Sequence, residues 1–147
     1  MSLDQKLVVR FQDGRVLKGT SQDFSPNRDS FHLNLTSRSA TDQPIKVSFG
    51  DLKGVFFVKD FVGQKAYHED KVISNPGKTF FGERTIVQFK DGETLYGFTQ
   101  DYAPGRLGFF LFPYDSQSNN IKLFAIHSFV KKIEFPLPHK SPTQKLK

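Results

Sequence analysis

The sequence predicts an all-β protein, and three observations carry that prediction. Short runs of alternating apolar and polar residues recur between turn residues, as half-buried strands require. Asp-Gly stands between two such runs at Asp13-Gly14 and again at Asp91-Gly92, a short-range hairpin signal. One pattern is also written twice. Val9 to Arg28 reads V-R-F-Q-D-G-R-V-L-K-G followed by Q-D-F-S-P-N-R, and Val87 to Arg106 reads V-Q-F-K-D-G-E-T-L-Y-G followed by Q-D-Y-A-P-G-R. Roughly half the positions agree without a gap, far beyond chance, so the chain is expected to contain a duplicated unit.

In the first unit, Lys6–Gln12 ends in alternation with Val9 and Phe11 on one face and reads as the first strand. Asp13-Gly14 is expected to form a type I′ turn. Val16–Phe24 is the second strand, with Gly19 marking a bulge or bend in its interior. Ser25-Pro26-Asn27-Arg28-Asp29 is a turn by composition. Phe31–Leu35 and Ile45–Phe49 alternate as third and fourth strands, Gly50–Gly54 fits one tight turn, and Val55–Val58 is the fifth strand. The second unit repeats the plan over Thr85–Lys90, Thr94–Tyr102, Gly108–Phe112, Ile121–Ile126 and Lys132–Phe135. The expected architecture is two tandem SH3/Sm-like five-stranded small barrels related by internal duplication. Residues 1–60 form the first barrel, 61–84 a connector packed across both through Phe61, Phe80 and Phe81, 85–138 the second barrel, and 139–147 a disordered basic tail.

Composition narrows the function classes. The 147 residues include 17 Phe, which supply apolar area for a core, and no Cys, which excludes disulfides and thiolate metal sites. The formal charge of +6 owes three units to Lys140, Lys145 and Lys147 in the tail, leaving a mildly basic globular part. No segment has the length or apolarity of a signal peptide core or a membrane span, so a cytoplasmic chain without membrane insertion is expected.

The duplicated residues are also the candidate site residues. Asp13 and Asp91 read as turn residues rather than paired carboxylates. Asp23 and Asp101 recur before an aromatic residue and a proline, where a carboxylate caps backbone N–H groups, and Arg28 and Arg106 recur with them. Asp23, Ser25, Arg28, Asp101 and Arg106 are the candidate binding residues, with a local Asp–Arg pair as the expected arrangement. His68-Glu69-Asp70 reads as a solvated loop rather than a metal site, and His32 and His127 have no nucleophile at a motif spacing. No catalytic residues, metal or cofactor are expected. Phe56-Phe57 and Phe109–Tyr114 put aromatics on both faces of a strand, which points to a seam between the barrels or to a stacking platform for bases.

The run Val-x-Phe-x-Asp-Gly-x-x-Leu-x-Gly, with Phe24 or Tyr102 five residues after its last glycine, resembles the first motif of Sm and Hfq proteins. That resemblance implies RNA binding and ring assembly. Asp23-Phe24-Ser25 also resembles the Asp/Asn-x-Ser-x-x-Gly signature of PilZ domains, with Arg28 where the glycine stands, and implies a cyclic di-GMP effector. Over its full length, including Gly108–Pro113 and Asn119-Asn120, the chain resembles a family of bacterial proteins of unknown function. The leading expectation is a non-catalytic interaction or regulatory module that presents barrel edges and aromatic surface to a macromolecule. The partner would be another protein or a second copy of the chain, with RNA or a cyclic dinucleotide as alternatives.

Overall fold

The structure is a computed structural model and describes residues 5–36, 43–61, 82–100, 102–115 and 117–136. Residues 62–81 of the expected connector, and residues 137–147 with the expected tail of 139–147, lie outside the described residues.

Among the described residues, ten strands follow one another. The first five are β1 (Lys6–Phe11), β2 (Val16–Thr20), β3 (Ser30–Leu35), β4 (Ile45–Ser48) and β5 (Leu52–Val58). The second five are β6 (Glu83–Phe89), β7 (Thr94–Thr99), β8 (Gly108–Pro113), β9 (Asn120–Ile126) and β10 (Val130–Glu134). A single 3-10 turn precedes β5 at Phe49–Asp51, and another precedes β10 at His127–Phe129. Their separation is that of Val9 from Val87. Among the described residues, no helix is long and apolar enough to cross a membrane.

The strands form one antiparallel ten-stranded sheet, ordered β10-β6-β7-β8-β9-β5-β1-β2-β3-β4 and not closed. The two halves meet where β5 pairs with β9, with Val55 opposite Phe124 and Phe56 opposite Leu123. The physical reason lies in the side chains. Every residue of β5 is buried, so both of its faces need cover. Val55 and Phe57 join the first core with Leu7, Val9, Phe31, Leu33 and Phe49. Phe56 and Val58 join the second with Val87, Phe89, Phe109 and Leu111. On β9, Phe124 and Ile126 enter the first core, whereas Leu123 and Ala125 enter the second. Each core therefore borrows residues from the other half.

The Asp-Gly turns differ from the type I′ expectation. Gly14 and Gly92 have positive φ of 98° and 96°, but among the described residues no non-glycine residue does, so Asp13 and Asp91 stay in ordinary backbone space. The N–H of Gly14 donates to Phe11 O and that of Phe11 to Arg15 O, with matching bonds at Gly92, Phe89 and Glu93. This is a three-residue loop of a type I-like turn closed by a glycine bulge. Asp13 Oδ1 accepts from Arg15 N and Asp91 Oδ1 from Glu93 N, which secures each loop.

Strands β2 and β7 end at Thr20 and Thr99, short of the expected Phe24 and Tyr102. Gly19 and Gly97 serve close approach: a Cβ would lie 2.1 Å from Asn34 O and 2.3 Å from Phe112 O respectively.

Candidate functional site

The loop after β2 is held by one carboxylate. Asp23 Oδ1 accepts from the backbone N–H of His32 at 2.8 Å and from the Ser21 hydroxyl at 3.0 Å. Asp23 Oδ2 lies 2.8 Å from His32 Nδ1. The bond from the His32 ring, followed by the one from its backbone N–H, holds the Asp23 carboxyl well below its usual range, at about 2. Asp23 therefore pairs with His32, and not with Arg28 as the sequence suggested. Ser25 is a turn residue: its hydroxyl accepts from Asn27 N and its carbonyl from Arg28 N.

Asp23 and Arg28 do come together, with Asn27, Asp29, Ser30 and His32, around an open polar depression. No partner of the Arg28 side chain lies among the described residues. Ser25 does not line this depression, and neither does Arg106. Arg106 contributes backbone, its carbonyl lying 2.6 Å from His127 Nδ1. Asp101 lies outside the described residues. At the positions of Asp29 and His32 the second half has Leu107 and Phe110, which pack against the first core. His127 occupies the position of the buried Phe49, between Tyr102 and Phe109 at ring distances of 5.2 and 5.1 Å. Its Nε2 is buried without a partner among the described residues.

Two further features escaped the sequence. Lys53, on β5, is buried between the halves, where its Nζ donates to Asp91 Oδ2 at 2.8 Å and to Glu93 Oε1. It also lies 4.9 Å from the Phe89 ring centroid. Burial alone would raise the Asp91 pKa, but the Lys53 ammonium and the Glu93 N–H outweigh it and lower it. At the matching turn in the first half, Arg15 lies 4.2 Å over Phe11 and pairs with Asp13 Oδ2 at 3.0 Å.

The second feature is the aromatic face of β7, on which Tyr96 is half-buried and Phe98 buried. Register places Tyr96 beside Ile86, Phe98 beside Arg84, and Phe112 beside Phe98. Tyr114 continues the patch, 6.2 Å from the Tyr96 ring and 5.1 Å from that of Phe98. Burial raises the Tyr114 pKa, and the Arg84 guanidinium opposes it. The first half has Lys18, Thr20, Asn34 and Thr36 at the four corresponding positions. Composition hid this contrast, because the aromatics are spread over two strands and a loop. Among the described residues, no three His, Asp or Glu gather as a metal site.

No curated protein matches the chain. No solved structure matches it either. A family model matches residues 3–135, nearly the whole described chain, so the protein belongs to a family of unknown function, DUF6982.

Proposed function

We propose that the chain is a non-catalytic interaction or regulatory module. In this reading duplication of one unit produced two SH3/Sm-like small barrels, which offer strand edges and the aromatic face of the second half to another protein. Recurring hydrogen bonds support the duplication. Phe49 N to Asp29 O is matched by His127 N to Leu107 O, Gln12 N to Asp51 O by Lys90 N to Phe129 O, and Thr36 N to Lys18 O by Tyr114 N to Tyr96 O.

The observation that carries the functional reading is the half-exposed pair Tyr96 and Tyr114 with Arg84 nearby. Tyrosine and arginine on one face have the composition of binding hot spots, and the corresponding face of the first half lacks it. A photocrosslinking side chain at Tyr96 should trap a protein that the same group at Lys18 does not. Against that protein, Tyr96→Ala with Tyr114→Ala should weaken binding by about tenfold or more. Identical products at both positions, or unchanged affinity, reject the reading.

The same tyrosines and Arg84 also suit stacking of unpaired bases, which favours single-stranded RNA as a second reading. Binding to short RNA should then be strongest at low salt, and no binding there excludes it. The Asp23–Arg28 depression supports cyclic di-GMP as a third reading. Calorimetry showing no heat with that ligand removes it.

A further inference from the structure

The junction between the halves shows which side chains a strand edge of this fold needs in order to pair. We propose that β4 and β10, the outer edges of the sheet, carry side chains that block the same pairing, so the chain does not extend its sheet head to tail with further copies. Register equivalence of the halves carries this inference, independently of the partner proposed above.

By that equivalence β10 stands where β5 does, and β4 where β9 does. At the junction β5 places Gly54 and Phe56 against Ala125 and Leu123, all buried. A Cβ on Gly54 would lie 2.9 Å from Phe124 O, so the close approach leaves little room for a side chain. At the outer edge the positions of Gly54 and Phe56 hold Lys132 and Glu134, which pair with each other at 2.8 Å in solvent. Docked like β5, they would enter the core beside Val47 and Ile45. Taking such charges out of water is strongly unfavourable and outweighs what a short strand pairing returns.

The opposing edge agrees. β9 sends Phe124 and Ile126 across the junction into the first core. β4 has Lys46 and Ser48 there, both exposed. The turn contacts repeat the difference. Lys53 meets two carboxylates at the junction, whereas Lys131 in an extended sheet would meet Asp13 with Arg15 beside it. Arg15 already lies over the Phe11 ring, the place that Lys53 takes over Phe89. Charged side chains on an edge strand are a known device against edge-to-edge association.

The test uses two full-length variants, each given the junction residues on one edge only. One carries Lys132→Gly with Glu134→Phe, and the other Lys46→Phe with Ser48→Ile. Native mass and amide hydrogen exchange are measured on each alone, on their mixture and on the unmodified chain. The mixture should form a one-to-one complex in which β4 amides of the second variant and β10 amides of the first gain protection together. The unmodified chain should show no concentration-dependent protection of β4 and β10, whatever its mass. Circular dichroism establishes that both variants are folded, and if either is not, Lys46→Phe and Glu134→Phe alone replace them. Folded variants that do not combine overturn the proposal. So does an unmodified chain whose β4 and β10 become protected together as concentration rises.

Discussion

In the first half Asp29, Ser30 and His32 surround an open polar depression, while Leu107, Gly108 and Phe110 at the matching positions are packed away. The backbones agree: β3 and β8 have the same length and begin at matching positions. Their places in the sheet differ. β8 pairs with β9, which pairs with β5, so one face of β8 abuts the first half and the Phe110 ring packs tilted against Phe124, with centroids 5.0 Å apart. β3 lies next to the edge strand, and His32 there is free to hold Asp23. Neighbours, more than local conformation, decide which copy of a repeated strand becomes surface.

The largest effect is expected at the residue that crosses between the halves. Phe124→Ala should lose about 3–5 kcal/mol in urea unfolding, as large-to-small changes in packed cores do. Lys46→Ala, at the equivalent position on the open edge, should stay within about 0.5 kcal/mol. Equal effects would show that the two edges are alike. Asp91→Asn combined with Glu93→Gln leaves the Lys53 ammonium buried with neutral partners and should cost about 2 kcal/mol, measured the same way. In contrast, Arg15→Ala in the exposed first turn should leave the unfolding midpoint unchanged.

The pH response sharpens the contrast between the loops. Asp23 titrates at about 2 in the folded chain against an ordinary 3.8, so its bonds to His32 stabilise the fold above the ordinary value. That contribution is lost as pH falls through about 2. Screening at this exposed position reduces it to about 1 kcal/mol. Asp23→Asn should flatten the stability profile between those two values, and an unaltered profile would assign the acid sensitivity elsewhere.

Most strands were legible in the sequence, because alternation marks a half-buried strand wherever one face meets water. Phe31–Leu35 and Ile45–Val47 are of this kind. The alternation fails at Phe56-Phe57, which announces cover on both faces without naming the strand that provides it. That is why β5–β9 pairing, and with it the single sheet, emerged only in three dimensions. The turn type was missed because Asp-Gly suits both a two-residue loop and a bulged three-residue one. Among the candidate residues, Asp23 and Arg28 do share a depression, whereas Ser25 belongs to a turn and Arg106 acts through its carbonyl. Lys53 was invisible, since nothing local tells a buried lysine from a solvated one.

The exchange of Phe124 and Ile126 into the first core also bears on synthesis. A ribosome delivers β1 to β5 long before β9, so the first half leaves the exit tunnel with its core unfinished. Val55, Phe57 and Phe49 must wait for Phe124 and Ile126, about half a chain further along. Folding of this protein is thus a late, whole-chain event, and a nascent chain stalled after β5 should remain open to proteases until β9 has been made.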